Sequence, residues 1–289
     1  MAWIDAIVTA DTHGPHHTES GMALWAAFMR IVKPKLFIHL GDALNLEFIS
    51  RFVPSWDNHL SPEEEVEAGK KHLLFMADAA GNAEKVYLEG NHEKRLKNYI
   101  ALMAPKLIGV GGDSSISIPH FYKTKSMGYK YIEAKNGPSA RWDWSDRLVF
   151  LHGTLSTTGV TNTAPANLMN KLGKCCIFGH GHRMGSARDN KDGRIIFGQE
   201  VGCLCKPPSF LVNDQWTRGF VGMQLDTSTG QFTPPYEIAI TETPHKIVRP
   251  GHVPENQIYP DDTFVNLWSQ TVKLQAYKHK DGSWKTREV

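Results

Sequence analysis

The stretch KVYLEGNHEKRLKNYIALM, residues 85–103, contains the local pattern on which the fold prediction rests. Its first half is an apolar run that ends at Gly90, and the polar turn NHE follows at once. Its second half has helical periodicity from about Lys94 to Met103, and Pro105 stops the helix. The stretch therefore predicts a strand, a short polar turn and a helix.

The same unit precedes this stretch twice. Residues 4–10 and KLFIHLGD, residues 35–42, have the composition of strands, and the helical sequence TESGMALWAAFMRIV lies between them. A longer helical segment, from about Pro62 to Ala80, leads to the stretch above. Repeated strand, loop and helix units are the pattern of an α/β layered fold, in which functional residues lie at the carboxyl ends of strands.

Beyond Gly111 the chain changes to short strands separated by Gly, Asn, Asp and Ser. The predicted strands are YKYIEA (129–134), RLVFLHG (147–153), KCCIFGHGH (174–182), RIIFGQEVG (194–202) and GFVGMQLD (219–226). Because no repeat or clear linker divides the chain, we expect one domain over 1–289, with a motif core at about 4–205 and C-terminal strands with a tail over 206–289. We expect the part after Pro250 to extend over the surface.

Composition narrows the classes of protein. A chain of 289 residues with 41% hydrophobic and 21% charged residues is ordinary for a globular protein with a substantial core. The net charge of +2 is compatible with an anionic substrate without requiring one. The longest apolar helical stretch, GMALWAAFMRIV, is too short to cross a bilayer, and Asp5 interrupts the apolar N-terminus. We therefore expect no membrane partner.

The four cysteines occur as Cys175-Cys176 and as Cys203 and Cys205 with one residue between them. Neither pair has the C-x-x-C spacing of structural zinc sites, and both lie in apolar runs. We expect buried, reduced thiols and a cytoplasmic location.

Five predicted strands end in residues that can bind metal ions, and glycine beside four of the five clusters lets the backbone turn sharply there. The clusters are Asp11-Thr12-His13, Gly41-Asp42, Gly90-Asn91-His92-Glu93, His152-Gly153 and Gly179-His180-Gly181-His182. Packing alone does not explain so many carboxylate, amide and imidazole groups at one kind of position.

In this order the clusters resemble the pattern of calcineurin-like metallophosphoesterases, which reads D-x-H, G-D, G-N-H-D/E, H and G-H-x-H. The resemblance covers about residues 4–205. It implies an α/β fold, a four-layer α/β/β/α sandwich of two mixed sheets flanked by helices, with a dinuclear metal site at the strand ends. It also implies hydrolysis of a phosphate ester by a hydroxide that bridges the metals.

The resemblance further implies how two divalent ions are shared. One ion would be held by Asp11, His13 and His182, the other by Asn91, His152 and His180, and the Asp42 carboxylate would bridge them. His180 and His182 point to the same side if their segment is extended. Mn²⁺ is favoured because mixed imidazole, carboxylate and amide ligands suit it, and Fe, Zn, Ni or Co remain plausible.

Catalysis would depend on His92, together with Asp42. By resemblance, His92 lies over the phosphate, where an imidazolium protonates the leaving alkoxide or stabilises the transition state. Either Glu93 or Asp42 would orient its ring. Asn91, His92 and Arg95 form the predicted substrate-binding set, with Arg95 the first choice among nearby cations, whereas a solvated helix face is favoured for Lys94 and Lys97.

Other polar and aromatic residues have structural interpretations that are favoured over functional ones. His39 is expected to be a hydrogen-bonded core residue, and His16 and His17 are expected in a solvated loop, with a position over the pocket as the alternative. Trp142 and Trp144 are expected to pack within an inserted loop, although stacking on a base is the alternative.

The favoured function is a phosphodiesterase acting on nucleotides or on short or single-stranded nucleic acid, as nucleases of this family do. A phosphomonoesterase, including a protein phosphatase, is the alternative. A catalytically inactive binding scaffold on the same fold is disfavoured because the chain retains His92. One departure from the family pattern is Asn45 in GDALN, which offers no second carboxylate. Oligomeric state stays open, and we expect segments 106–147 and 206–289 to determine the substrate.

Overall fold

A computed structural model describes residues 3–51, 60–108, 116–135, 137, 139–153, 163–207, 215–242 and 245–248, with the C-terminal pieces 264–265, 271–272, 274–279 and 282–288. The α-helices are α1 (Glu19–Val32), α2 (Pro62–Ala80), α3 (Lys94–Met103), α4 (Ile118–Phe121) and α5 (Thr163–Leu172), and short 3₁₀ helices lie at Glu47–Ile49 and Pro105–Leu107. The first nine strands are β1 (Trp3–Thr9), β2 (Leu36–His39), β3 (Glu84–Leu88), β4 (Tyr129–Ile132), β5 (Arg141–Asp143), β6 (Leu148–Leu151), β7 (Cys175–Phe178), β8 (Met184–Lys191) and β9 (Arg194–Val201). The others are β10 (Gly219–Asp226), β11 (Tyr236–Glu242), β12 (His245–Val248), β13 (Phe264–Val265), β14 (Thr271–Val272), β15 (Leu274–Lys278) and β16 (Trp284–Glu288).

Two mixed sheets form the centre of the fold. The larger sheet has the strand order β16-β15-β12-β11-β10-β1-β2-β3-β4, in which β1 to β4 are parallel and β10 is antiparallel to β1. The smaller sheet has the order β5-β6-β7-β9-β8, with β6, β7 and β9 parallel. The helices α1 and α2 connect parallel neighbours of the larger sheet, as crossover connections require.

Alternate side chains of the larger sheet enter two different cores. On β2, Leu36 and Ile38 face the core between the sheets, whereas Phe37 packs with α1 and α2 on the opposite side. On β6 all four side chains are buried, and α5 packs against the smaller sheet. The predicted class is confirmed: the protein is a mixed α/β fold of two mixed sheets flanked by helices, in four layers.

The boundaries of α2 follow from its first turn. The Ser61 side chain accepts a hydrogen bond from the Glu64 backbone N–H, and Glu64 accepts one from the Ser61 N–H, which forms a capping box. Pro62 occupies the first helical position, where its missing N–H costs nothing. The predicted helix is therefore confirmed over its whole length.

The expectation of a surface tail is wrong for the last residues of the chain. Strands β15 and β16 pair as a hairpin and extend the larger sheet beyond β12. Trp284 packs against the core that the larger sheet forms with α1 and α2. Residues 249–263 lie outside the described part of the chain.

Two further observations concern the whole of the described chain. All four cysteines are buried and none forms a disulfide, as expected. Within the described ranges, no helix combines the length and the apolar character needed to cross a membrane.

Candidate metal centre

The predicted site residues lie at neighbouring strand ends. Asp11, Asp42 and Asn91 follow β1, β2 and β3, three adjacent parallel strands of the larger sheet. His152 and His180 follow β6 and β7, which are neighbours in the smaller sheet. Because the carboxyl ends of both sets meet, residues from five distant parts of the chain form one cluster.

One half of the cluster contains two imidazoles and a carboxylate. His13 Nε2 lies 3.2 Å from His182 Nε2, and His182 Nε2 lies 3.3 Å from Asp11 Oδ1. His13 Nε2 is 3.9 Å from the same oxygen. Three potential ligand atoms therefore face a common point.

The other half is centred on His152. Its Nε2 lies 3.0 Å from Asn91 Oδ1, 3.2 Å from Asp42 Oδ2 and 3.3 Å from His180 Nδ1. Asp42 also faces the first half, since its Oδ2 is 3.9 Å from His13 Nε2. One carboxylate oxygen thus lies next to both groups, at the position expected of a bridging ligand.

Five of the seven clustered residues have left-handed backbone conformations, with φ between 44° and 75°. They are Asp11, His13, Asp42, His180 and His182. Such conformations cost non-glycine residues roughly 1–2 kcal/mol each and concentrate at functional sites. The strain is offset by hydrogen bonds from Asp11 N to Gly41 O (3.1 Å), His13 N to Asp42 O (3.0 Å) and His180 N to Asp11 Oδ2 (2.8 Å).

The extended arrangement expected for His180 and His182 is therefore wrong. Strand β7 ends at Phe178, and both histidines lie in the following turn with positive φ. They reach the cluster because the turn redirects each side chain, and not because side chains alternate along a strand.

The close approach of residue 90 to Asp42 explains why this residue is a glycine. A Cβ on Gly90 would lie 2.2 Å from Asp42 Oδ1 and 2.4 Å from Asp42 N. Any side chain at this position would displace the carboxylate that both halves of the cluster share.

The carboxylates give the cluster a negative potential. Burial lowers the pKa of His152, but Asp42 together with Asp11 and Glu93 outweighs burial and raises this pKa to about 9. Burial also lowers the pKa of His182, and Asp11 together with Cys203 and Asp42 outweighs it and raises this pKa to about 9. Positive charge is therefore stabilised at this point.

The donor set fits divalent metal ions. Among the described residues none donates a hydrogen bond to the buried Asp11 Oδ1, and the facing Nε2 atoms of His13 and His182 can share only one proton. Two nitrogens 3.2 Å apart fit adjacent ligands of one ion, since metal–nitrogen bonds are about 2.1 Å long. A cation between these atoms would satisfy all three.

A family model described as calcineurin-like phosphoesterase matches residues 5–184, which is more than half of the chain. The chain belongs to the calcineurin-like phosphoesterase family.

Several solved structures are similar to this phosphoesterase family member at low sequence identity. Vacuolar protein sorting 29 from Cryptosporidium parvum is 13% identical, with 85% of this chain and 96% of that chain covered and a TM-score of 0.43. Yfce, a phosphoesterase from E. coli, is 12% identical, with 80% and 97% covered and a TM-score of 0.36. No curated protein sequence matches the chain.

The ring of His92 is oriented by a main-chain carbonyl group. Its Nδ1 lies 2.8 Å from the Asn45 carbonyl oxygen, to which it donates, so Nε2 is the acceptor of a 2.9 Å hydrogen bond from Arg95 Nη2. Burial lowers the pKa of His92 to about 4, and the Arg95 charge adds to this effect. Burial therefore favours the neutral form of the His92 imidazole.

The expectation that Glu93 or the Asp42 carboxylate orients the His92 ring is also wrong. Glu93 is buried and accepts hydrogen bonds from the N–H groups of Asp42 (2.9 Å), Leu44 (3.0 Å) and Gly90 (2.8 Å). Asp42 Oδ1 accepts from the His92 backbone N–H at 2.8 Å, while its Oδ2 is 3.8 Å from His92 Nε2. Glu93 supports the Asp42 loop from behind.

The basic residues of α3 have different surroundings. Arg95 Nη1 donates to the Asn45 carbonyl at 2.9 Å, so its guanidinium lies beside His92. Lys97 pairs with Glu89 at 3.0 Å and with Glu133 at 2.9 Å. Lys94 donates to the Gly137 carbonyl. Of the three cations considered from the sequence, Arg95 is the one that contacts the site.

His39 is confirmed as a hydrogen-bonded core residue. The Gly41 N–H donates to His39 Nδ1 at 3.2 Å, so the proton is on Nε2, which lies 3.2 Å from Thr12 Oγ1. His17 differs from the expected solvated residue. It is half-buried and its ring stacks on that of His72 at 4.6 Å, and burial lowers its pKa to about 4.

The packing interpretation of the two tryptophans is confirmed. Trp142 stacks on Phe150 with ring centroids 5.6 Å apart. The Trp144 ring contacts the Trp142 ring edge to face. The Lys130 ammonium lies 5.7 Å from the Trp142 ring centroid. These rings belong to the core of the smaller sheet.

Sequence reasoning missed two neighbours of His182. Cys205 Sγ lies 4.0 Å from His182 Nδ1. Cys205, His182 and His13 are close enough together to bind one metal ion. The Trp216 ring lies 4.0 Å from the His182 ring, edge to face. Neither belongs to a motif, and both reach the site through long-range packing that no local pattern reveals.

Proposed function

We propose that the protein is a phosphodiesterase that uses two divalent metal ions. The observation that carries the proposal is the position of Asp42, whose Oδ2 faces both His13 and His152 at 3.9 and 3.2 Å. Bound there, the ions would offset the charge of the phosphate and lower the pKa of a coordinated water towards neutrality.

The two halves of the cluster divide the ligands in this proposal. Asp11, His13 and His182 would hold one ion, Asn91, His152 and His180 the other, with Asp42 shared between them. The mixed imidazole, carboxylate and amide donors support Mn²⁺ as the first metal to test, followed by Fe, Zn, Ni and Co.

His92 and Arg95 would act on the substrate. The Asn45 carbonyl fixes Nδ1–H of His92, so Nε2 is the atom that would first take up a proton from solvent and then give it to the departing alkoxide. Arg95 Nη2 now donates to that nitrogen and would move its hydrogen bond to a phosphate oxygen when substrate binds. This exchange would free Nε2 for the leaving group.

The charge around the site supports a diester over a monoester. A terminal phosphate carries an additional negative charge, for which dedicated cations are expected. Lys97 is already paired with two carboxylates, which leaves Arg95 as the neighbouring cation among the three basic residues of α3. With a net charge of +2, small nucleotide diesters and short single strands suit the protein better than long duplexes.

The test is a comparison of two chromogenic esters after reconstitution with Mn²⁺. We expect a higher kcat/KM for bis(p-nitrophenyl) phosphate than for p-nitrophenyl phosphate near neutral pH. A clear preference for the monoester would instead identify a phosphatase. Absence of turnover of both esters with every one of the five metals would contradict the enzymatic proposal.

A further inference from the structure

We propose that Trp216 forms an aromatic wall of the substrate site, on which a nucleobase or another aromatic group of the ester stacks. The inference deepens the proposed function and rests on it, since it names the class of substrate that the metal centre would receive.

The position of the ring is the first argument. Trp216 contacts the His182 ring edge to face, at 4.0 Å between centroids and 86° between planes. The Nε2 atom of the same imidazole faces Asp11 and His13. Trp216 is half-buried, so part of the residue is exposed to solvent.

The backbone beside Trp216 is fixed, which is the second argument. Thr217 N donates to the His182 carbonyl at 2.9 Å, and the Thr217 carbonyl accepts from Cys203 N at 3.0 Å. Gly202 allows this approach, since it has φ of +80° and a Cβ there would lie 2.5 Å from Thr217 O. The ring is therefore presented by a segment tied to the ligand turn, and a ligand that stacks on it orders little additional chain.

The other tryptophans considered from the sequence differ in this respect. Trp142 stacks on Phe150 and has the Lys130 ammonium over its ring, so both contacts use the surface that a base would need. Trp144 packs against Trp142. Trp216 instead contacts a residue of the metal cluster, which gives it a different function from the core tryptophans.

Stacking on such a wall would select for an aromatic substituent without selecting among bases, because every base has a π face. The expected substrate class is thus a nucleoside phosphodiester or an aryl ester, and simple alkyl diesters would bind more weakly.

The test compares thymidine monophosphate with methyl phosphate, two phosphates that differ in the aromatic base and its sugar. Dissociation constants are measured by calorimetry on Mn²⁺-loaded protein, for the wild type and for Trp216→Leu, Trp216→Phe and Trp142→Phe. We expect the wild type to bind thymidine monophosphate about 10-fold more tightly or better. Trp216→Leu should lose this ratio, Trp216→Phe should retain most of it, and Trp142→Phe should leave it unchanged.

An equal ratio in the wild type and in Trp216→Leu would overturn the inference, as would a wild type that binds both phosphates alike. Circular dichroism of each variant identifies misfolding, and the Phe variant provides the test if the Leu variant does not fold. Turnover of bis(p-nitrophenyl) phosphate by the wild type is measured separately. Its failure would contradict the proposed function, while the binding ratio would still decide the role of Trp216.

Discussion

Two of the loops that carry metal-ligand candidates, the loop after β2 with Asp42 and the turn after β7 with His180 and His182, are supported in different ways. The loop after β2, which carries Asp42, rests on the buried Glu93 carboxylate, whose two oxygens accept hydrogen bonds from three backbone N–H groups and from the Tyr87 hydroxyl at 2.6 Å. The turn after β7 lies over the Glu200 carboxylate. Glu200 Oε1 has no hydrogen-bond partner in the described part of the chain, and a Cβ on Gly181 would come within 1.9 Å of it.

Both loops are tied by backbone hydrogen bonds, and the difference lies in the carboxylate beneath each: both oxygens of Glu93 accept hydrogen bonds, whereas Glu200 Oε1 accepts none from the described residues. The turn after β7 is fixed by hydrogen bonds from Gly179 N to His152 O and from Thr217 N to His182 O, both 2.9 Å long. Burial raises the pKa of Glu200 to about 8, with Asp11 adding to the shift and a hydrogen bond with the Arg183 backbone opposing it. We therefore expect the two carboxylates to respond unequally to mutation.

The largest effect should come from the residue that both halves share. Asp42→Ala should lower occupancy at both metal sites and reduce kcat/KM by about 10³-fold or more, because it removes the bridge and leaves buried imidazoles without a counter-charge. Elemental analysis and steady-state kinetics measure the two effects. Full metal content in this variant would rule out the bridging role.

A large loss with intact metal should follow from His92→Ala. A positioned acid or base typically contributes roughly 10²–10⁴-fold to the rate, and His92 contacts Asn45 and Arg95 without being one of the proposed ligands. The assay needs an ester with a poor leaving group, since an activated aryl ester requires little protonation. Near-wild-type turnover of such an ester would show that His92 has another role. His16→Ala, at a half-buried position paired with Glu47, is the matched control.

The comparison of supports is tested directly by two conservative changes. Glu93→Gln should lower metal affinity by about 10–100-fold, because an amide nitrogen would face the N–H donors of Asp42, Leu44 or Gly90. Glu200→Gln should change it less, since one oxygen of Glu200 has no donor to lose. Metal titration monitored by calorimetry gives both affinities. Equal losses of metal affinity in the two variants would mean that Glu93 and Glu200 support their loops equally.

The smallest effect is expected on substrate binding. Arg95→Ala should raise KM for bis(p-nitrophenyl) phosphate by about 10-fold, the order of one charge-assisted hydrogen bond, and leave metal content unchanged. Lys97→Ala, which removes a lysine paired with Glu89 and Glu133, is the matched control. An equally large rise in KM in Lys97→Ala would show that the loss of any nearby positive charge causes the effect.

The sequence predicted the parts of the molecule that local patterns encode. The helical segment predicted from about Pro62 to Ala80 has those bounds in α2, and apolar runs before each motif placed Asp11, Asp42 and His152 at strand ends. The backbone at His180 was not predictable, because a left-handed turn leaves no trace in the alternation of side chains.

Residues that act through tertiary contacts also escaped the sequence. Asn45 orients His92 with its carbonyl oxygen, so the missing carboxylate in its side chain gave no information about this contact. Cys205 and Trp216 meet His182 only after the chain beyond β9 has folded back over the turn. Both belong to segments without a motif, where burial and long-range hydrogen bonds decide position.

The central claim is that Asp42 joins two metal sites, and a crystal structure of the Mn²⁺-reconstituted protein with anomalous scattering tests it most directly. We predict two anomalous peaks about 3.5–4 Å apart, with the Asp42 carboxylate bound to both. One ion should be bound by His13 and His182 and the other by His152 and His180. A single peak, or two peaks of which Asp42 contacts only one, would contradict the account.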